Sequence, residues 1–108
     1  MLQHEIKIRV RYAETDRMGY VYYGNYATYF EVARVEWLRS FGFSYKILED
    51  EGVLLPVLEY NIKYIRPAYY DDELRIVTTM HELPSARIRF TYEIFNSKNE
   101  KITVADTT

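Results

Sequence analysis

Polar and apolar residues alternate without a break near the start of the chain, over residues 5–12. This period of two is typical of a strand with one buried face. The residues on that face are Ile6, Ile8, Val10 and Tyr12. Further apolar runs, bounded by turn residues, predict strands at residues 54–65, 73–82, 86–95 and 101–105.

Residues 26–41 have the apolar spacing of a helix instead. The stripe recurs at intervals of four, three, four and four, at Tyr26, Phe30, Ala33, Trp37 and Phe41. It is widened by Tyr29, Val32, Val35 and Leu38. A stripe of this width predicts a helix that packs against a broad sheet. Asn25 stands at the N-cap position and Gly42 where a left-handed residue ends a helix. A short second helix is predicted within residues 44–52.

The predicted order of elements is one strand, one long helix and four strands. The last three strands are joined by short connections, which force neighbouring strands to run antiparallel. The sequence therefore predicts an α+β fold, in which the helix covers one face of an antiparallel sheet. A length of 108 residues suits a single domain, residues 1–108. No turn signal follows the fifth strand, so we expect the sequence to be truncated at its C-terminus.

Composition excludes several classes of function. The chain has no cysteine, which rules out disulfide scaffolds, thiolate metal sites and cysteine nucleophiles. Its net charge of −2 disfavours a nucleic-acid partner, since such binders normally carry a basic excess. No run approaches the roughly 18 apolar residues of a membrane span, and residues 1–11 lack the apolar centre of a signal peptide. We therefore predict a cytoplasmic protein.

The sequence contains no P-loop, dinucleotide-binding glycine motif, serine nucleophile elbow or zinc-protease motif. Its only histidines, His4 and His81, lie far apart along the chain. We therefore expect no metal site and no histidine-based mechanism.

Candidate chemistry lies in the long loop of residues 13–25, which leads into the N-terminus of the helix. Asp16 supplies a carboxylate, and a helix N-terminus offers unpaired N–H groups with partial positive charge. Together they suit acyl transfer, because the carboxylate attacks or activates water while the donors polarise a carbonyl. The alternative is that Asp16 caps a turn, since Thr-Asp-x-x-Gly is common turn chemistry.

Tyrosine is unusually frequent in this region. The chain has 12 tyrosines, of which five lie between Tyr20 and Tyr29. Tyrosine suits surfaces that are half buried and half wet. The cluster therefore predicts either the edge of a core or an oligomer interface, or a ligand site lined by aromatic rings. The two interpretations are compatible if the site lies at an interface.

The loop and the start of the helix resemble the hotdog-fold acyl-CoA thioesterases. The matching pattern over residues 12–34 is Y-x-E-T-D-x-x-G-x-V-Y-Y-G-N-Y-x-x-Y-F-E-x-A-R. A second segment, residues 64–74, is similar to the family's Y-x-R-P-A-x-Y-x-D-x-L pattern. The likeness is greatest to the 4-hydroxybenzoyl-CoA thioesterases and to their relatives associated with the bacterial Tol–Pal system.

The resemblance implies a hotdog fold, a five-stranded antiparallel sheet wrapped around one long central helix, with the fifth strand between the fourth and the second. It also implies a homodimer or homotetramer with active sites at subunit interfaces. The implied reaction is hydrolysis of an acyl-CoA to the free acid and CoA. CoA is then part of the substrate, and no separate cofactor is expected.

The same resemblance assigns roles to loop residues. Asp16 matches the catalytic aspartate, as nucleophile or general base. Tyr23 falls at the position whose backbone N–H points at the thioester carbonyl, with Gly24 beside it. Many close relatives have histidine at the position of Tyr23, so this chain departs from them. The exchange is tolerable if the backbone N–H is the main contribution, and it alters rate or substrate range if the imidazole matters.

Substrate binding is assigned to residues on several elements. Glu31 stands where a 4-hydroxybenzoyl-specific member uses an acid to recognise the substrate hydroxyl, but a polar group satisfied within the helix packing is the favoured interpretation, and no aromatic substrate is inferred from it. An apolar groove should hold the acyl group, and cations should hold the phosphates of CoA. The remaining candidates are Tyr22, Asn25, Tyr26, Lys63, Arg66, Ser85 and Arg87. Solvated strand-face charges are the alternative for the cations.

Two other functions stay open. One is a non-catalytic module on the same fold that binds acyl-CoA or an acyl carrier, since a fold does not dictate a function. The other is a dehydratase or hydratase, which requires a histidine paired with an acid. Neither histidine is predicted near the helix start, which disfavours the second function. The acyl chain length and the choice between CoA and a carrier protein cannot be predicted from these residues.

Overall fold

The computed structural model describes residues 2–42, 57, 59–80 and 89–108. Within them, five strands and one long helix follow each other in the predicted order. They are β1 (Leu2–Arg9), α1 (Tyr26–Ser40), β2 (Tyr60–Tyr64), β3 (Glu73–Met80), β4 (Phe90–Phe95) and β5 (Lys101–Thr107). Two short 3-10 turns, Tyr12–Glu14 and Tyr23–Asn25, lie between β1 and α1. The helix predicted within residues 44–52 lies outside the described residues.

The strands form one antiparallel sheet in the order β1-β3-β4-β5-β2. The fifth strand lies inside the sheet, between β4 and β2, as the family resemblance implies. Together with α1, this arrangement confirms the predicted α+β fold. The predicted single domain over residues 1–108 and the predicted C-terminal truncation stay predictions.

The core lies between α1 and the inner face of the sheet. Alternate residues of β3 and β4, including Ile76 and Ile94, are fully buried and pair across the two strands. On α1, the ring of Phe30 lies 4.6 Å from that of Tyr92 between ring centres. Burying each large apolar side chain contributes roughly 1.5–3 kcal/mol. This packing fixes α1 on the sheet and thereby fixes where its N-terminus lies.

The first strand begins and ends earlier than predicted. β1 stops at Arg9, and the N–H of Arg11 bonds to the carboxylate of Glu14 at 2.8 Å instead of to the sheet. The chain leaves the sheet there, so Tyr12 is 76% exposed in a 3-10 turn. Its assignment to the buried face was wrong, whereas Val10 is buried as predicted.

The helix ends at Ser40, one residue before the predicted end. The buried stripe is the predicted one with three exceptions: Val35 is only half-buried, and the assignment of Val32 and Phe41 was wrong because they are 42% and 41% exposed. Gly42 has φ +85°, which confirms the left-handed residue predicted after the helix.

None of the helices in the described part of the chain has the length and apolar character needed to cross a membrane.

The other strands differ from their predictions mainly at their ends. β2 covers only Tyr60–Tyr64, because the N–H groups of Ile65 and Arg66 both bond to the carbonyl of Ile102 and bend the chain away. β5 continues to Thr107, two residues beyond its predicted end. The predicted starts of the second and fourth strands fall within residues 54–56, 58 and 81–88, outside the described residues.

Candidate active site

The loop of residues 13–25 is an ordered small hairpin. The N–H of Asp16 donates to the carbonyl of Tyr20 at 3.0 Å, and Thr15 forms a β-bridge with Val21. Gly19 closes the turn, with φ +86° and an N–H bond of 3.0 Å to the carbonyl of Asp16. The positive φ favours glycine at this position. The loop therefore holds Asp16 at a defined place beside the helix.

The Asp16 side chain caps its own turn. Its Oδ1 accepts the N–H of Met18 at 2.9 Å, as the turn-capping alternative predicts. In the part of the chain that the structure describes, no hydrogen bond occupies Oδ2 of Asp16. The residue is half-buried. Turn capping therefore orients the carboxylate and still leaves one oxygen free for chemistry.

The helix N-terminus is prolonged by the 3-10 turn Tyr23–Asn25, which continues directly into α1. The N–H of Asn25 closes this turn on the carbonyl of Tyr22 at 2.9 Å. The N–H groups of Tyr23 and Gly24 are the first two of the helical run, which geometry leaves without an internal partner. Among residues 2–42, 57, 59–80 and 89–108, neither donates to another group. They are free to bind an anion or a carbonyl oxygen.

Asn25 does not cap the helix with its side chain, so that part of the N-cap prediction was wrong. Its Nδ2–H donates instead to the carbonyl of Glu14 at 2.9 Å. The same carbonyl accepts the N–H of Tyr22 at 2.9 Å. Asn25 therefore ties the helix start to the loop.

A cleft of about 400 Å³ lies where the loop, the helix start and the end of β2 meet. Its lining residues are Asp16, Tyr20, Val21, Tyr23, Tyr26, Tyr64, Ile65, Arg66 and Pro67. Four of the predicted site residues are thus brought together: Asp16, Tyr23, Tyr26 and Arg66. The cleft combines one carboxylate, one guanidinium and a wall that is largely tyrosine.

Tyr64 is a lining residue that the sequence analysis did not single out. Its ring lies 5.4 Å from that of Tyr26 and 6.5 Å from that of Tyr23, between ring centres. Its hydroxyl donates to the carbonyl of Tyr23 at 3.4 Å. The only signal in the sequence was that Tyr64 opens the second family-like segment.

The other candidate residues do not line this cleft, although Gly24 directly follows Tyr23 in the 3-10 turn. The ring of Tyr22 lies 4.6 Å from that of Tyr23 between ring centres, tilted by 37°, and its atom Cε2 would lie 2.7 Å from a Cβ added at Gly24. Glu31 is exposed on α1. Lys63 lines a separate groove on the sheet, of about 470 Å³. Ser85 and Arg87 lie outside the described residues.

Two tyrosines of the cleft, Tyr26 and Tyr64, remain neutral around pH 7. Burial raises the pKa of Tyr26 and, together with its neighbour Tyr23, that of Tyr64. Outside the lining, a hydrogen bond to Tyr23, followed by charge repulsion from Tyr23 and Asp16, raises the pKa of Tyr22. Their hydroxyls act as hydrogen-bond donors and not as bases. Asp16 is therefore the one candidate base among the residues that line the cleft.

Comparison with known proteins assigns this chain to a family. The model of the thioesterase superfamily matches residues 18–103, which include the helix and most of the sheet. The chain belongs to the thioesterase superfamily. This membership confirms the predicted enzyme class, thioester hydrolase.

Individual relatives of the superfamily cover most of the chain. The YneP protein of Bacillus subtilis is 38% identical over 94 residues, which are 87% of this chain and 68% of YneP. The acyl-CoA thioester hydrolase YbgC of Escherichia coli O157:H7 is 35% identical over 99 residues, 92% of this chain and 74% of YbgC.

A solved structure supports the same assignment. The DHNA-CoA thioesterase of Staphylococcus aureus superposes with a TM-score of 0.94 at 40% identity. The match covers 99% of this chain and 72% of that one. The resemblance to hotdog-fold thioesterases is thereby confirmed, together with the expected wrapping of a five-stranded sheet around one helix.

Proposed function

We propose that this protein hydrolyses acyl-CoA thioesters to the free acid and CoA. The observation that carries the proposal is that one cleft is lined by both Asp16, which has one carboxylate oxygen without a hydrogen bond, and Tyr23, whose N–H is unpaired. Thioester hydrolysis needs a base or nucleophile on one side of the carbonyl and hydrogen-bond donors for its oxygen on the other. The relatives named above support the choice of CoA as the thiol.

The mechanism follows from these groups. The carbonyl oxygen accepts the N–H groups of Tyr23 and Gly24, which stabilise the negative charge that develops on it. Asp16 either takes a proton from water as the water oxygen bonds to the carbonyl carbon, or attacks that carbon itself. In both cases the carbon–sulfur bond breaks, and CoA leaves as a thiolate that then takes up a proton. In the second case water hydrolyses the resulting anhydride.

The acyl group and the CoA part of the substrate are assigned to different residues of the cleft. The rings of Tyr26 and Tyr64 and the side chain of Ile65 offer an apolar surface to the acyl group. Arg66, which also lines the cleft, suits a CoA phosphate, although it also lies 3.7 Å from the carboxylate of Glu100. Roles in substrate binding for the other candidates belong to the same proposal: Tyr22, Asn25, Glu31, Lys63, Ser85 and Arg87.

A homodimer or homotetramer is part of the proposal. In the described part of the chain, β2 is an edge strand of the sheet. It carries the exposed aromatic residues Tyr60 and Tyr64 next to the exposed Ile65. An exposed edge with apolar side chains favours pairing with another copy. Light scattering after size exclusion tests this, and a monomeric active enzyme contradicts it. The cytoplasmic location stays a prediction.

The direct test measures thiol release from short, medium, long and aromatic acyl-CoAs. We expect wild type to hydrolyse at least one of them, and Asp16→Asn to lose about 100-fold or more in kcat, roughly 2.7 kcal/mol of barrier. Asp71→Asn is a matched control, because it makes the same chemical change at a turn residue with φ +68°, which asparagine tolerates. Equal rates for wild type and Asp16→Asn would disprove the mechanism. Thermal stabilisation by acyl-CoA without hydrolysis would favour the binding module.

A further inference from the structure

Glu14 is the only carboxylate that is buried in the part of the chain that the structure describes. It lies two residues before Asp16 and is 9% exposed. A buried charge is costly unless it is paired and hydrogen-bonded. A carboxylate placed there, next to the proposed catalytic residue, calls for a reason.

The carboxylate of Glu14 has a full set of partners. Its Oε1 accepts the N–H of Arg11 at 2.8 Å and the hydroxyl of Tyr29 at 2.9 Å. Its Oε2 accepts Nη2 of Arg11 at 3.2 Å. Burial alone raises the pKa of Glu14, but these hydrogen bonds and the charge of Arg11 outweigh it and hold the pKa below its ordinary value. Glu14 is therefore an ionised and fully bonded carboxylate at neutral pH.

The backbone carbonyl of Glu14 bonds on the other side of the junction. It accepts the N–H of Tyr22 and the Nδ2–H of Asn25, both at 2.9 Å. Tyr22 and Asn25 flank the two residues whose N–H groups are free, Tyr23 and Gly24. Tyr29, bonded to the carboxylate, lies one helical turn further along α1.

One residue therefore connects all three parts of the proposed site: the chain that enters Asp16, the turn that presents the N–H groups, and the body of the helix. We propose that Glu14 is a positioning residue, which sets the distance between the Asp16 carboxylate and the N–H groups of Tyr23 and Gly24. This inference rests on the function proposed above. A misplacement of about 1 Å between reacting groups can cost on the order of 100-fold in rate.

The alternative is that Glu14 only stabilises the fold. Tyr29→Phe and Glu14→Gln test the two roles. Tyr29→Phe removes one hydrogen bond to Glu14, Glu14→Gln removes the charge, and both leave the side-chain volume almost unchanged. Tyr92→Phe is the matched control. Tyr92 is as deeply buried as Tyr29, and its hydroxyl bonds to Thr107 at 2.9 Å and accepts Nη1 of Arg34 at 3.3 Å, but it does not line the cleft.

The experiment measures kcat and KM for these variants on the acyl-CoA that wild type hydrolyses best. We expect kcat to fall about tenfold in Tyr29→Phe and in Glu14→Gln, with KM within about threefold, because transition-state groups are displaced while binding surfaces remain. Tyr92→Phe should keep wild-type kcat at a temperature where all variants are folded. Equal kcat values in Tyr29→Phe, Glu14→Gln and Tyr92→Phe overturn the inference.

Amide NMR distinguishes failure of this inference from failure of the proposed function. We expect the amide resonances of Tyr23 and Gly24 to shift in Tyr29→Phe and Glu14→Gln but not in Tyr92→Phe. If wild type releases no thiol, the proposed function fails, and the resonances still report whether Glu14 positions these groups. Unmoved resonances in both test variants overturn the positioning role, whether or not the enzyme is active.

Discussion

Glu14 and Glu93 each bond to a cation, but they lie in opposite surroundings. Glu14 lies at the loop–helix junction with a side chain that is 11% exposed, and it also bonds to a backbone N–H and a buried hydroxyl. Glu93 lies on the outer face of the sheet, 2.8 Å from Lys101, with both side chains more than 40% exposed. The outer-face pair has the shorter ion-pair distance. We therefore expect burial and backbone bonding, and not the ion-pair distance, to decide how much each carboxylate stabilises the fold.

The largest expected effect is on stability at the junction. Glu14→Ala removes the acceptor of the part-buried N–H of Arg11 and of the buried hydroxyl of Tyr29, and a buried group left without a partner costs about 1–3 kcal/mol. We expect the free energy of unfolding to fall by about 3 kcal/mol in urea titrations. Glu93→Ala, the outer-face counterpart, should cost less than about 1 kcal/mol. Similar losses of unfolding free energy in Glu14→Ala and Glu93→Ala would contradict the expectation that the buried carboxylate contributes more than the exposed one.

The pH dependence of stability tests the contribution of the buried Glu14 carboxylate in a second way. Because the pKa of Glu14 is lowered from its ordinary value of 4.5, its ionised form is favoured in the folded state. Its contribution is therefore complete above about pH 4.5 and is lost as the pH falls through the lower folded-state pKa. We expect the stability difference between wild type and Glu14→Gln to be constant from pH 6 to 8 and to shrink below about pH 4.5. A difference that grows on acidification would show the opposite sign of the pKa shift.

The regular elements were predictable because their signal is local and repeats. In β3 the period of two places Leu74, Ile76 and Thr78 on the buried face, and the structure buries all three. Glu14 has no such signal, because a single acidic residue in a loop belongs to no period. Its partners Asn25 and Tyr29 follow 11 and 15 residues later. Only folding of the loop onto the helix reveals the network.

The candidate site was predictable to the extent that its residues lie in one continuous segment. Asp16, Tyr23 and Tyr26 occupy the loop and the helix start, and the structure brings them to one cleft. Tyr64 comes from β2, and only the pairing of β2 with β5 and the bend after it bring Tyr64 to the same place. The N-cap prediction for Asn25 was wrong because the 3-10 turn Tyr23–Asn25 already gives this residue a helical φ of −77° and ψ of −16°, and its side chain donates to the carbonyl of Glu14.

Gly24 offers a smaller test within the junction. A Cβ added there would lie 2.7 Å from Cε2 of Tyr22, so the ring must move in Gly24→Ala. Helix propensity favours alanine over glycine by about 0.5–1 kcal/mol, which offsets that displacement. We expect Gly24→Ala to change stability by less than about 1 kcal/mol in wild type, and to stabilise the Tyr22→Ala variant. Thermal unfolding of the four proteins in this double-mutant cycle measures the coupling. Additive effects would mean that Tyr22 does not constrain position 24.

The smallest expected effect concerns the outer face. Lys101 bonds to Glu93 and also lies 5.9 Å above the ring of Phe95, where solvent screens it. A double-mutant cycle with Lys101→Ala and Glu93→Ala should give a coupling of about 0.2–1 kcal/mol. This coupling should largely disappear at about 1 M NaCl, where the screening length is only about 3 Å. The equivalent cycle for Glu14→Gln and Tyr29→Phe should keep most of its coupling in salt, because a hydrogen bond between buried atoms excludes the ions that screen a surface pair. If the coupling between Lys101 and Glu93 did not change with salt, exposure would not explain the difference between Glu93 and Glu14. The positioning role of Glu14 would then depend on the kinetic and NMR tests alone.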